Sequence, residues 1–447
     1  MVYEIVLGRE EKDKEKWGTK GSILLGKQYV KMGQVTTLSQ PVFLDLNKAH
    51  VLFVCGKRGS GKSYSLGVIA EGIANLDPKF RDKLSVLMLD TMGIYWTMKY
   101  PNHQDEQLLK EWDLEGQAIK NVRIFTPAGY FKEYKEKGIP TDFPFAINPA
   151  ELAPENWNLT FDISANDPIA VFIERIVLTL KKERDAYDIS DILEAIGADE
   201  REETQVKNAA INRFKAVQRW GVFSKDATPM KALAKAGTVN ILDLSAYAVM
   251  PGGWKIKHLV MGVVCEKMFI ERMVVRKGEE FSSIRSAVHY ITDEPSAEEA
   301  KLKAFEMPIV WIMIDEAHEF LPKKGKTAAS NALITLLREG RQPGVALVLA
   351  TQQPGKIHTD AMTQSDIILA HRLTAKVDTD ALGALLQSYL RTGLDQALED
   401  LPKVAGACLA VDDVNERMYP MRVRPRYSWH GGSAPKIIKE KKKLFEF

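Results

Sequence analysis

The apolar residues of this chain fall into short unbroken runs, separated by stretches with the spacing of amphipathic helices. VLFVC (51–55) and LSVLML (84–89) are too continuous for half-exposed strands. They are also too short for buried helices, so they read as parallel strands covered on both faces. Between them lie a Gly-rich turn and a helical pattern running to about Leu76, the rhythm of a βαβ unit. The rhythm returns in TVNILDL (238–244), PIVWIMID (308–315), GVALVLAT (344–351) and SDIILAHRL (365–373). Helices are predicted over Ile256–Val275, Thr327–Gly340 and Thr379–Arg391, with Gly340 as a C-terminal cap. AGACLAV and ERMYPMRV are predicted to close the sheet.

The remaining stretches break this pattern. Residues 1–49 hold short strand-like pieces, predicting a short N-terminal β segment, either a small reduced barrel-like module or an edge addition. Within it the charged run Glu10–Lys16 reads as a solvated loop. Pro and aromatic residues from Tyr100 to Trp157 suggest irregular structure. From about Asp167 to Trp220 helical spacing dominates and predicts a helical insertion, in which Ser190 or Asp188 caps a helix. The expected fold is α/β, a mostly parallel sheet whose core is split into 50–160 and 238–432 by an insertion at 161–237. The basic tail, 433–447, is expected to be poorly ordered and solvated.

Composition narrows the class. With 45% hydrophobic residues the chain can bury a large core, and 447 residues allow several domain-sized units or one core with insertions. Lys+Arg is 61 against 59 Asp+Glu, so a nucleic-acid partner would have to be held by a local patch or an assembled channel. Cys55, Cys265 and Cys408 form no CxxC pair, which argues against a disulfide framework or a zinc site. The charged start is unlike a signal peptide, and no run approaches the ~20 apolar residues of a membrane helix, so a cytoplasmic location is expected.

The turn after VLFVC is Gly56-Lys57-Arg58-Gly59-Ser60-Gly61-Lys62-Ser63, a full G-x-x-x-x-G-K-[ST] match set between a strand and a helix. Gly59 and Gly61 let the backbone turn its N–H groups toward phosphate oxygens, and the helix adds its positive end. Gly56, Arg58, Gly59, Ser60, Gly61, Lys62, Ser63 and Tyr64 are therefore the expected ATP-binding residues. Lys62 should reach the β- and γ-phosphates, and the Ser63 hydroxyl should ligate Mg²⁺. The strand ending in Asp315-Glu316 supplies the second half: Asp315 for Mg²⁺, Glu316 as general base toward water. The letters Asp315-Glu316-Ala317-His318 also spell the DEAH of a helicase group, but that group's Ser-Ala-Thr and Gln-x-x-Gly-Arg-x-Gly-Arg motifs are missing. His318 reads instead as a polar residue following the strand, and Trp311 as core.

Downstream, a helix ends in Arg338-Glu339-Gly340-Arg341, and the next strand runs into Thr351-Gln352-Gln353-Pro354. Together with IDEAHEFLP, Asp90-Thr-Met-Gly93-Ile-Tyr95, and the late Arg422, Arg424, Arg426 and His430-Gly431-Gly432, these motifs resemble the HerA-like ATPases, relatives of FtsK among RecA-like translocases. The resemblance covers about residues 50–432 and implies a RecA-like core. It also implies that Gln352 senses the γ-phosphate and that Arg341 is an arginine finger offered to a neighbouring subunit, with Arg338 and Arg372 as competing candidates. A finger acting in trans implies a homo-oligomeric closed ring, and the resemblance implies that this ring is hexameric and moves duplex DNA. The family's NurA-type nuclease docks on an N-terminal β-barrel; a nuclease partner is a further implication of the resemblance, which the short stretch before the phosphate loop counts against. Two other readings share the core: a secretion-type ATPase moving protein, and an assembly switch that only binds ATP.

Overall fold

Strand β4 (Val51–Cys55) is buried along its whole length, and its side chains alternate between two separate apolar clusters. Val51, Phe53 and Cys55 enter one cluster, and Leu52 and Val54 enter the other. A strand covered on both faces needs this unbroken apolar run. The computed structural model describes residues 3–32, 35–288, 307–384, 394 and 396–432.

In chain order the strands are β1 (Ile5–Leu7), β2 (Ser22–Met32), β3 (Val35–Asp45), β4, β5 (Leu84–Asp90), β6 (Val122–Pro127), β7 (Phe143–Phe145), β8 (Val239–Asp243), β9 (Ile309–Ile314), β10 (Val345–Thr351), β11 (Ile367–His371), β12 (Ala407–Asp412) and β13 (Arg417–Val423). They form one 13-stranded sheet in the order β1-β3-β2-β13-β12-β11-β4-β10-β9-β5-β8-β6-β7. From β11 to β7 every neighbouring pair is parallel. From β11 back to β3 the pairs are antiparallel, and β1 lies parallel to β3. The fold is thus α/β and RecA-like, a mostly parallel sheet with helices. The N-terminal strands extend this sheet through the β2–β13 pairing.

One core cluster carries the helices between β7 and β8, from Pro154–Phe161 to Met230–Leu233, packed through Trp157, Phe172, Ile173 and Phe214. Asp188 caps the Ile189–Ala198 helix, accepting from Ser190 N and Asp191 N. The other cluster holds the Lys62–Ala74 helix against the N-terminal strands. Among the described residues no helix is long and apolar enough to cross a membrane.

Several local expectations are corrected. The charged run is a helix, Glu11–Trp17, with no buried residue; acidic and basic residues alternate along it, with Glu11 and Asp13 in the first turn and Lys14 and Lys16 in the last. Arg9 ties the ends of the segment, donating to Gly18 O at 2.5 Å and Lys20 O at 2.9 Å. The supposedly irregular stretch 100–157 contributes β6 and β7 to the sheet edge. The helix beginning near Ile256 runs over Gly253–Val288, and Arg276 pairs along its exposed face with Glu279 at 3.3 Å and Glu280 at 3.1 Å. Gly340 is not a left-handed cap: it keeps helical angles (φ −61°), and a Cβ there would lie 2.4 Å from Leu336 O. The helix predicted over Thr379–Arg391 is seen as Lys376–Gly383; 385–391 and the 433–447 tail lie outside the described residues.

Candidate active site

The parallel order places β10 between β4 and β9, so the turns after β4, β9 and β10 converge at one sheet edge. The loop after β4 runs through Gly56, Gly59 and Gly61 with φ of +153°, +75° and +116°. Gly56 is also forced by proximity: a Cβ there would lie 2.6 Å from both His371 Cβ and Ser60 Oγ. His371, at the end of β11, buttresses the loop from beneath. Its Nε2 lies 2.9 Å from Ser65 Oγ and its Nδ1 3.2 Å from Ala407 O, and burial pulls the imidazole down to about 4. It is a neutral imidazole at physiological pH.

The Lys62–Ala74 helix starts directly on this loop, with Gly61 as a left-handed N-cap that lacks a side-chain hydrogen bond. Its first N–H groups therefore have no side-chain acceptor, as an anion-binding end requires. Lys62 Nζ donates to Lys57 O at 3.2 Å. Burial lowers the ammonium pKa, against the pull of Glu316 and Asp315. Ser60 Oγ is buried with no hydrogen-bond partner. Arg58 is exposed at the loop surface.

Ser63 Oγ donates to Asp315 Oδ2 at 2.5 Å, joining the loop to the end of β9 across a sequence separation of 252. The other Asp315 oxygen accepts from Glu316 N at 2.9 Å. Glu316 itself is left-handed, φ +51° and ψ 42°. A non-glycine residue there stores strain of order 1–3 kcal/mol, a common mark of a functional turn. Gln352 Nε2, one residue past β10, donates to Glu316 Oε1. Glu316 Oε2 is buried and has no hydrogen-bond partner, the nearest cation-capable group being His318 Nδ1 at 3.6 Å. Burial, then the Asp315 charge, raises the Glu316 pKa. His318 is held by Thr351 Oγ1 at 3.1 Å, so it packs beside Glu316, and burial lowers its own pKa.

Lys62, Ser63, Asp315, Glu316 and Gln352 are therefore brought together. Arg341 is not: it follows the Ser330–Glu339 helix, exposed, with no side-chain hydrogen bond or ion pair among the described residues. Arg338 is engaged instead, with Nε and Nη2 both 2.7 Å from Asp360 Oδ2. Arg372 is half-buried, and its carbonyl accepts from Lys57 N at 3.0 Å. Tyr64 turns away from the loop; its hydroxyl accepts from Arg426 N at 2.7 Å, and its ring meets His430 edge-on at 5.2 Å.

The late arginines hold the back of the helix. Glu71 on the helix and Arg424 and Arg426 are all fully buried. Glu71 accepts from Arg424 Nη1 at 2.6 Å, Tyr427 N at 2.9 Å, Ser428 N at 3.1 Å and Ser428 Oγ at 2.8 Å. Arg422 is the more exposed member of the motif.

Residues 30–252 match the family described as "Helicase HerA, central domain". A Methanocaldococcus jannaschii protein named "Probable DNA double-strand break repair helicase HerA" is 22% identical over 401 residues, covering 81% of this chain and 68% of that protein. The Pyrococcus furiosus "DNA double-strand break repair helicase HerA" is 30% identical over 154 residues, 33% of this chain and 26% of that protein. These matches leave about a third or more of each relative's length unmatched. Among solved structures, VirB4 of Thermoanaerobacter pseudethanolicus superposes with a TM-score of 0.52 at 11% identity, over 90% of this chain and 96% of that one. That likeness speaks to the fold.

Proposed function

The chain belongs to the HerA-like P-loop ATPases, and from that membership we propose that it hydrolyses ATP with Mg²⁺ at sites shared between subunits of a hexameric ring and uses the turnover to move along duplex DNA. The observation that carries the hydrolytic part is the hydrogen-bonded chain Ser63–Asp315–Glu316–Gln352, with Ser60 Oγ and Glu316 Oε2 buried and unpaired beside it. A buried polar atom without a partner costs about 1–3 kcal/mol, so two of them, one on the turn after β4 and one after β9, support a site made for a polar ligand.

The donor set suits Mg²⁺, a hard cation taken by a hydroxyl, one or two carboxylates and phosphate oxygens. Ser63 and Asp315 would hold it, and it would supply charge neutralisation across the β- and γ-phosphates. The chain's own groups do the rest. The loop N–H groups and Lys62 bind the phosphates. Gln352 fixes one Glu316 oxygen, leaving Oε2 to accept a proton from an attacking water. Arg341, exposed and unengaged, is free to reach a neighbour's phosphates, which Arg338, tied to Asp360, is not. A finger in trans places each active site at a head-to-tail interface that closes into a ring.

The duplex-DNA cargo rests on the printed names of the two relatives. A triplex-displacement assay on linear duplex tests it: ATP-dependent displacement that is lost in Lys62→Ala supports the reading. Turnover without displacement at any salt counts against DNA and for protein cargo.

A further inference from the structure

Strand β5 ends in Asp90, and the turn after it is wound tightly around that carboxylate. Oδ1 accepts from Met92 N at 3.1 Å and Gly93 N at 2.8 Å; Oδ2 accepts from Ile94 N at 2.8 Å and Tyr95 N at 2.9 Å. Four consecutive N–H groups on one carboxylate leave the turn little freedom. Gly93 is left-handed at φ +66°, and a Cβ there would lie 2.7 Å from Ser245 Oγ, so a larger residue would strain the turn. Two further ties hold the surroundings in place. Lys257 Nζ, from the Gly253–Val288 helix, donates to Thr91 O at 3.1 Å, and Thr97 Oγ1 donates to both Ile94 O at 2.8 Å and Trp429 O at 2.9 Å.

This turn drives the Tyr95 side chain inward, where it is 2% exposed. Its hydroxyl stands 3.3 Å from Asp315 Oδ2 and 3.4 Å from Ser63 O. Both distances exceed the ~2.7–2.8 Å optimum for O–H···O, so the single phenol proton is shared between two acceptors. Those acceptors belong to the same two residues whose side chains are joined at 2.5 Å. From this geometry we infer that Tyr95 is a positioning residue for the Ser63–Asp315 pair, and that Asp90-x-x-Gly93-x-Tyr95 is the device that delivers its hydroxyl there. The inference rests on the reading of that pair as the Mg²⁺ holder. A fixed donor on Asp315 Oδ2 orients the carboxylate toward the cation, as outer-shell donors do at metal sites. It also couples the end of β5 to the helix that starts at Lys62.

The test is nucleotide binding rather than turnover. Affinity for a fluorescent ATP analogue is measured in EDTA and across a Mg²⁺ series, for the wild-type chain, Tyr95→Phe and Asp90→Asn. Tyr95→Phe removes one oxygen and keeps the packed ring. The expected result is unchanged affinity in EDTA and a Mg²⁺ midpoint raised about tenfold, the low end of the ~10–100-fold effect of losing an outer-shell partner. Asp90→Asn, which weakens the turn, should shift the midpoint the same way. A Mg²⁺ midpoint equal to wild type in Tyr95→Phe overturns the inference. So does an equal loss with and without Mg²⁺, which would mark a purely structural role. If the wild-type chain itself binds nucleotide without any Mg²⁺ dependence, the metal-site reading fails first, and the inference with it.

Discussion

Replacing Glu71 by Ala should destabilise the chain more than any exposed charge change, because among the described residues Glu71 is the only anion placed against two buried guanidiniums. Arg424 and Arg426 are 1% and 0% exposed, and Glu71 is 0% exposed. Its oxygens lie 2.6 Å from Arg424 Nη1 and 3.8 Å from Arg426 Nε. Removing it strips both cations of their counter-charge and leaves Tyr427 N, Ser428 N and Ser428 Oγ without their acceptor. Breaking one buried pair from one side costs about 3–5 kcal/mol. With an unfolding entropy of about 2.1 cal/mol/K per residue, 447 residues give about 0.9 kcal/mol/K, so Tm should fall by about 3–5 °C. Glu71→Gln keeps an acceptor without the charge and should fall between. Differential scanning fluorimetry reads the shift. Adding Arg424→Met to Glu71→Leu should recover part of the loss, since a packed apolar replacement of a buried pair is often neutral or better. A Glu71→Ala chain that melts within about 1 °C of wild type would refute the reasoning, because the cluster would then be contributing almost nothing.

Three further outcomes are expected. Glu316→Gln should lower steady-state ATP turnover by about 10²–10⁴-fold while nucleotide affinity holds, since it removes only proton acceptance; normal turnover would remove Glu316 from the mechanism. Arg341→Ala should lose hydrolysis by about 10³-fold or more and keep binding, and mixing it with Lys62→Ala chains should restore some turnover; no restoration in demonstrably mixed rings would exclude a finger in trans. His50 lies 2.5 Å from Asp366 Oδ2 and 3.2 Å from Asp45 Oδ2. Burial opposes its charge, but the two carboxylates prevail and raise it to about 9. Its contribution, about 3 kcal/mol for such a shift, should be whole below about pH 6.5 and lost as pH rises through about 9. Tm measured from pH 6.5 to 10 should therefore fall more steeply in wild type than in His50→Asn; parallel curves would refute the assignment.

What the sequence made legible is what short-range chemistry dictates. VLFVC, VWIMI and VLAT are strands because apolar runs of that length have one economical environment, and the glycines after VLFVC have φ values few other residues accept. Those features place Lys62, Ser63, Asp315 and Glu316 without further help. What stayed hidden depends on contacts between distant segments. Tyr95 was visible as part of a pattern, but its partners lie 32 and 220 residues away. Arg424 and Arg426 were visible only as members of a late motif; their burial follows from the sheet order, which brings β13 and the segment after it over Glu71, 353 residues before Arg424. The β6–β7 edge was masked by Pro and aromatic residues, which suit an edge strand where no ladder continues. Glu11–Trp17 was missed because a helix with no buried face has no apolar period to detect.

The account stands most directly on steady-state ATP hydrolysis by the purified chain, with and without linear duplex DNA, at low and moderate salt. It predicts Mg²⁺-dependent turnover stimulated by DNA, with stimulation falling as salt rises because phosphate contacts release counterions. Robust turnover indifferent to duplex DNA at every salt would contradict the DNA-motor claim and leave an ATPase with another cargo.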